Sequence, residues 1–124
     1  MHTIRLRKQW TRTVDGDPPM EKIDVPDMAS FGSDAATSVT YRRTFNQTTG
    51  IEQASVRLRV SQWDGTLFKL ALNGCDCTID LEQTSIDADI TDALQKHNEL
   101  VLVIKPTSDS VAGLSGDVSL AIED

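Results

Sequence analysis

At 124 residues, with 39% apolar and 25% charged side chains, the chain has the size and composition of one globular domain, residues 1–124, and too few glycines and prolines for a low-complexity tract. Nineteen acidic against twelve basic side chains give a formal charge of −7, which repels phosphate backbones and anionic lipid, so neither nucleic acid nor a membrane is expected as a partner. The longest apolar run, Leu100 to Ile104, is far too short to span a bilayer, and the opening MHTIRLRKQW has no apolar stretch that could serve as a signal peptide, which favours a cytoplasmic location.

The first predicted strand is IRLRKQW, Ile4 to Trp10. An arm over residues 15–38 follows; it carries three of the four prolines and reads as irregular. VTYRRTF, Val39 to Phe45, is the next strand, and its period of two sends one of Arg42 and Arg43 outward and the other toward the interior, where it would need a carboxylate partner. In SVRLRV, Val56, Leu58 and Val60 share one face while Ser55, Arg57 and Arg59 share the other, the signature of a half-buried strand. After a WDGT break the alternation resumes in LFKLAL, with Phe68, Leu70 and Leu72 on one face and Leu67, Lys69 and Ala71 on the other. Asn73–Gly74 then marks a tight hairpin turn into a strand from Cys75 to Leu81.

One short helical turn is expected in DITDALQKHN, capped by Thr91 with Asp92 near its positive end. The last strands are LVLVI and DVSLAI, separated by the turn-rich stretch 105–116. About seven short strands with punctuating turns and almost no helix predict an all-β protein, an antiparallel β-sandwich.

Several of these segments together resemble a known family. YRRTF (41–45), the block from Val56 to Gly74, the block from Asp89 to Ile104, and AGLSGDVSL near the end are similar to the N-terminal sugar-binding domain of glycoside hydrolase family 2 enzymes, in that family's order and at roughly its spacing. They cover about the last two thirds of the chain, and Trp10 with the Pro-rich arm is similar to the opening of that domain. The resemblance implies a galactose-binding-domain-like jelly roll that accompanies a separate catalytic barrel. It therefore implies an accessory module rather than a complete hydrolase, with no cofactor and carbohydrate as the candidate partner. The sequence departs from the family after Asn73–Gly74, where Cys77 and then EQTSI (82–86) stand in place of a glycine-rich loop.

For a ligand site, an exposed Trp63 on the outward face with Arg57 and Arg59, beside Asp64, would supply a stacking surface and hydroxyl-binding groups. A bulge at Asp64–Gly65 would instead turn the indole inward, which is where most tryptophans pack. Trp10 reads as core. The acidic stretch Asp76, Asp80, Glu82, Asp87, Asp89 and Asp92 offers oxygen ligands of the kind calcium takes, but without a spaced loop signature it reads as a solvated surface. Cys75, Cys77, His2 and His97 could in principle fill a zinc site, yet their spacing fits no compact motif, so free thiols are expected. GLSGD (113–117) misses the nucleophile-elbow pattern, and NQT at Asn46 is a glycosylation sequon without a secretion signal. Two functions remain open: a non-catalytic carbohydrate-binding module, or a protein-interaction or self-assembly domain using an edge strand or the arm.

Overall fold

The structure, a computed structural model, describes residues 2–15, 17–32, 38–46, 54–77 and 84–123. Ten strands form two antiparallel sheets among the described residues. One sheet has four strands in the order β1 (His2–Arg5), β10 (Val118–Glu123), β5 (Ser55–Val60) and β8 (Ile86–Asp89). The other has six, in the order β3 (Met20–Ile23), β2 (Trp10–Val14), β4 (Val39–Asn46), β9 (His97–Lys105), β6 (Thr66–Leu72) and β7 (Cys75–Asp76). No helix in the described residues is long and apolar enough to cross a membrane.

The core is what period-two alternation dictates when two sheets face each other. Val56, Leu58 and Val60 of β5, with Val118, Leu120 and Ile122 of β10, are buried against Val39 and Tyr41 of β4 and Leu100, Leu102 and Ile104 of β9. Trp10 is fully buried, and its indole N–H donates to the Leu6 carbonyl at 2.7 Å. Burying an indole without that partner would leave a polar group unsatisfied.

Four sequence expectations are corrected. The strand Ile4 to Trp10 is really two: β1 ends at Arg5, the chain turns through Gln9 at φ 66°, and Trp10 opens β2 in the other sheet. The arm is not wholly irregular, because it carries β3 and a bridge from Phe31 to Ala112. In β6 a register shift between Leu67 and Lys69 breaks the alternation, so Leu67 is buried with Leu70 and Leu72 while Phe68 is 58% exposed. The helical stretch shrinks to a 3₁₀ turn at Thr91–Ala93, and Thr91 does not cap it. Asp89 holds that turn instead, its Oδ1 accepting from the Thr91 N–H at 2.9 Å and hydroxyl at 2.6 Å. The turn at Asn73–Gly74 stands as expected, with φ of 55° and 81°, the paired left-handed conformation that a two-residue hairpin requires.

A buried ionic cluster ties the arm to the sandwich. Asp27 accepts from Arg12 Nη1 at 2.7 Å, from the Tyr41 hydroxyl at 2.8 Å and from the Ala29 N–H at 3.0 Å. Its backbone N–H donates to the Leu114 carbonyl at 2.8 Å, and the Leu114 N–H donates back to the Tyr41 oxygen at 3.2 Å. Burial, partly opposed by the Leu114 hydrogen bond, pushes the Tyr41 phenol far above its ordinary pKa, so it remains a donor to Asp27. Removing Asp27 would strand the Arg12 guanidinium, whose side chain is 10% exposed. Asp27→Ala should therefore cost about 3–5 kcal/mol, and Tyr41→Phe about 1–2 kcal/mol. Urea denaturation measures both; an Asp27→Ala midpoint equal to the wild type would remove the cluster from the account of stability.

Candidate functional site

The residues expected from sequence to bind a ligand fall in two places. Arg57 and Arg59 point outward from the four-stranded sheet, as predicted, and the antiparallel register sets Asp87 opposite Arg59 and Asp89 opposite Arg57. Arg57 Nε donates to Asp87 Oδ1 at 2.7 Å and its Nη2 to the Asp87 carbonyl at 3.0 Å, while Arg59 Nε lies 3.7 Å from the same carboxylate. The Arg57 hydrogen bond holds the Asp87 carboxyl below its ordinary range. These arginines are engaged with their neighbours across the sheet.

Trp63 lies elsewhere. Strand β5 stops at Val60, so its alternation does not extend to the indole, which is half-buried and packed against the core. Asp64 is held through its backbone, its N–H donating to the Gly113 carbonyl at 2.8 Å and its carbonyl accepting from the Gly113 N–H at 3.2 Å. Gly65 follows at φ +88°, where an added Cβ would stand 2.6 Å from the Lys105 carbonyl, so only glycine fits the turn. This corner is where β6 begins and β9 ends, as the pairing of Thr66 with Lys105 shows. Among the described residues, no hydrogen bond or ion pair joins Trp63 and Asp64 to the two arginines.

The remaining sequence candidates stay apart. Asp76 is 3.6 Å from Lys69, Asp87 and Asp89 are engaged as described, and Asp80 and Glu82 lie outside the described residues, as do Gln47 and Thr48 of the sequon and Gln83 of the EQTSI segment. Among the described residues no three His, Cys, Asp or Glu side chains gather as metal ligands. Cys75 is exposed and Cys77 half-buried on and just after the edge strand β7. His2 and His97 belong to different sheets.

A cleft opens at the opposite end of the sandwich from Trp63, where β9 begins and β4 and β6 finish. It encloses about 320 Å³ and is lined by Thr44, Phe45, Asn46, Asn73, His97, Asn98 and Glu99. Its floor is a pair of amides. Asn98, 3% exposed, donates to the Gln95 carbonyl at 2.9 Å and the Phe45 carbonyl at 3.4 Å, and its oxygen accepts from Asn73 Nδ2 and the Gln95 N–H. Asn73 also donates to the Ala93 carbonyl at 3.0 Å and accepts from the Glu99 N–H at 2.8 Å. The fold engages every N–H of these two amides, and they fix the 3₁₀ turn, the hairpin tip and the start of β9 to one another.

The rim side chains of Asn46, His97 and Glu99 are exposed. His97 Nδ1 lies 2.7 Å from Asn46 Oδ1, placed there by the register that pairs the two residues across β4 and β9. Because the amide oxygen accepts, Nδ1 carries the proton, and in the neutral ring Nε2 is left as an acceptor. Glu99, two residues along the same face, is 3.6 Å from Arg42 and half-exposed. Phe45 contributes an apolar wall that packs on the core. None of Asn46, His97 or Glu99 stood out in the sequence, since each is an ordinary polar residue whose proximity arises from strand pairing.

No protein-family model matches the chain, and no curated relative does. Solved structures do. A Bacteroides uniformis β-glucuronidase superposes with a TM-score of 0.79 at 16% identity, over 98% of this chain and 18% of its own. A Dictyoglomus thermophilum β-D-mannosidase gives 0.77 at 13% identity over 98% and 22%, and a putative β-galactosidase from Bacteroides fragilis 0.76 at 15% over 98% and 23%. The fold is that of a domain of family 2 glycosidases. At these identities the similarity is one of fold, and the chain spans about a fifth of the length of those enzymes.

Acrylamide quenching should resolve two indoles, Trp10 shielded and Trp63 partly accessible, with Trp63→Phe leaving only the shielded emission. A wild type whose two indoles quench alike would contradict this arrangement.

Proposed function

We propose that the chain is a non-catalytic carbohydrate-binding module of the glycosidase-accessory type, and that its ligand sits in the cleft between Asn46, His97 and Glu99. The observation that carries this reading is the cleft itself, with an aromatic wall and a rim of amide, imidazole and carboxylate groups on a rigid sheet end. Planar polar groups of this kind match the paired donors and acceptors of sugar hydroxyls, while the Phe45 wall suits the apolar face of a pyranose. A volume of about 320 Å³ is at the lower limit for small-ligand sites, which suits one sugar ring or two.

The same rim argues against hydrolysis as the activity. Glycoside hydrolysis ordinarily needs two carboxylates flanking the scissile bond, and among the described residues the cleft has only Glu99. The glycosidases of matching fold carry this domain as about a fifth of a longer chain, consistent with a supporting role.

Calorimetric titration with a panel of monosaccharides and disaccharides tests the reading. His97→Ala and Asn46→Ala should each weaken binding by roughly 3- to 10-fold, the equivalent of about 1 kcal/mol per lost hydrogen bond, and should leave the circular dichroism spectrum unchanged. Trp63→Phe should bind as the wild type does. Sugar binding that survives the cleft variants but fails in Trp63→Phe would relocate the site to the other end of the sandwich. No binding to any sugar, together with a mass that grows with concentration, would favour an association domain using the exposed side chains of Met28, Phe68 and Val111.

A further inference from the structure

The turn at Asn73–Gly74 decides where the two cysteines point. It sets Leu72 opposite Cys75 and Ala71 opposite Asp76, and the Cys77 N–H, donating to the Leu70 carbonyl at 2.7 Å, carries the same register one pair further. Directly opposed residues of an antiparallel pair share one face of the sheet. Leu70 and Leu72 are fully buried on the inner face, so Cys75 and Cys77 share that face, while Asp76 between them turns outward to within 3.6 Å of Lys69. Because β7 is an edge strand, the inner face is open here: Cys75 is exposed and Cys77 is half-buried against the core.

The hairpin that carries the thiols is held in place. Asn73 Nδ2 donates to the Ala93 carbonyl and to Asn98 Oδ1, and Asn73 Oδ1 accepts from the Glu99 N–H. A pair of ligands on such a support is set before anything binds. Burial first, then the charges of Asp76 and Cys75, push the Cys77 thiol up, so it keeps its proton until a cation displaces it.

The spacing selects what could join the two sulfurs. Two residues of extended chain separate the Cα atoms by about 6.8 Å, the upper end of what a disulfide accepts. Structural zinc takes four ligands, and among the described residues no third His, Cys, Asp or Glu gathers with the pair. A soft d¹⁰ ion of linear preference needs only two thiolates, and thiolate softness selects Cu(I). Metal–sulfur bonds of about 2.3 Å on either side of an ion leave the sulfurs about 4.6 Å apart, which the strand spacing meets more easily than the 2.05 Å or so of a disulfide.

We propose that Cys75 and Cys77 form a two-coordinate site for a soft monovalent ion of the Cu(I) class at the β7 edge. One ion binds per chain; each thiol gives up its proton, two sulfur–metal bonds form, and the bis-thiolate complex carries a net charge of −1 with no change in oxidation state. The site stands independently of the carbohydrate reading of the cleft.

The test titrates the reduced full chain, without oxygen, with Cu(I) held by a chromophoric chelator, and with Ag(I) as a probe that does not change oxidation state. The wild type should take one equivalent of either ion, lose both thiols to a thiol-specific reagent on loading, and show two sulfur neighbours in X-ray absorption at the copper edge. Cys75→Ser and Cys77→Ser should each weaken binding by more than the roughly 100-fold that losing a merely supporting residue costs. Cys75 is exposed, so its variant should keep the wild-type circular dichroism spectrum and carries the test even where Cys77→Ser does not fold. Asp76→Asn, altered on the opposite face, should bind as the wild type does. Uptake that survives Cys75→Ser would make the metal an adventitious ion only and overturn the site. Half an equivalent per chain with a doubled mass, three or more metal neighbours, or no uptake from the chelator would each overturn it as well.

Discussion

The carboxylate of Asp27 is the point on which the rest of this sandwich depends. Two antiparallel sheets with apolar inner faces would stack through burial alone, but burial is not directional and leaves the long arm between β2 and β4 without a fixed path. Asp27 supplies that path by accepting from Arg12 on β2, Tyr41 on β4 and the arm's own Ala29 amide. Phe31 then lies over the Arg12 guanidinium, 4.9 Å from ring centroid to carbon, and its backbone bridges to Ala112. The stretch 112–114 is thereby clamped between the arm and Asp64, which closes the Trp63 end of the molecule.

The opposite end is organised by amides instead of charge. Asn73 and Asn98 spend their side chains on backbone groups of the hairpin, the 3₁₀ turn and β4, so three chain segments share one polar joint. The consequence for function is a rigid floor under a small cleft, with His97 and Asn46 set across it by strand register. A closed end and an open end follow from the same antiparallel pairing.

Much of the fold was legible because the alternation of Val56–Leu58–Val60, Leu100–Leu102–Ile104 and Val118–Leu120–Ile122 is a direct consequence of a half-buried sheet. Asn73–Gly74 was legible for the same reason, since few residue pairs take two left-handed conformations in succession. The failures have physical causes as well. The bulge at Leu67–Lys69 leaves no composition signal, and the break at Gln9 hides inside an apparently continuous strand. At the candidate site, Trp63 beside Asp64–Gly65 could face either way on the sequence alone, and the backbone pairing of Asp64 with Gly113 accompanies a half-buried ring packed against the core. The cleft residues come from positions 44–46, 73 and 97–99, and only the pairing of β4 with β9 and of β9 with β6 brings them together.

The most direct measurement is a map of backbone and side-chain amide shifts on titrating an isotopically labelled chain with the tightest-binding sugar. The account predicts that the perturbed resonances cluster at Thr44, Asn46, His97 and Glu99 while the Trp63 indole N–H and the Asp64–Gly65 amides stay in place. Shifts centred on Trp63 and Asp64, with the cleft silent, would contradict it.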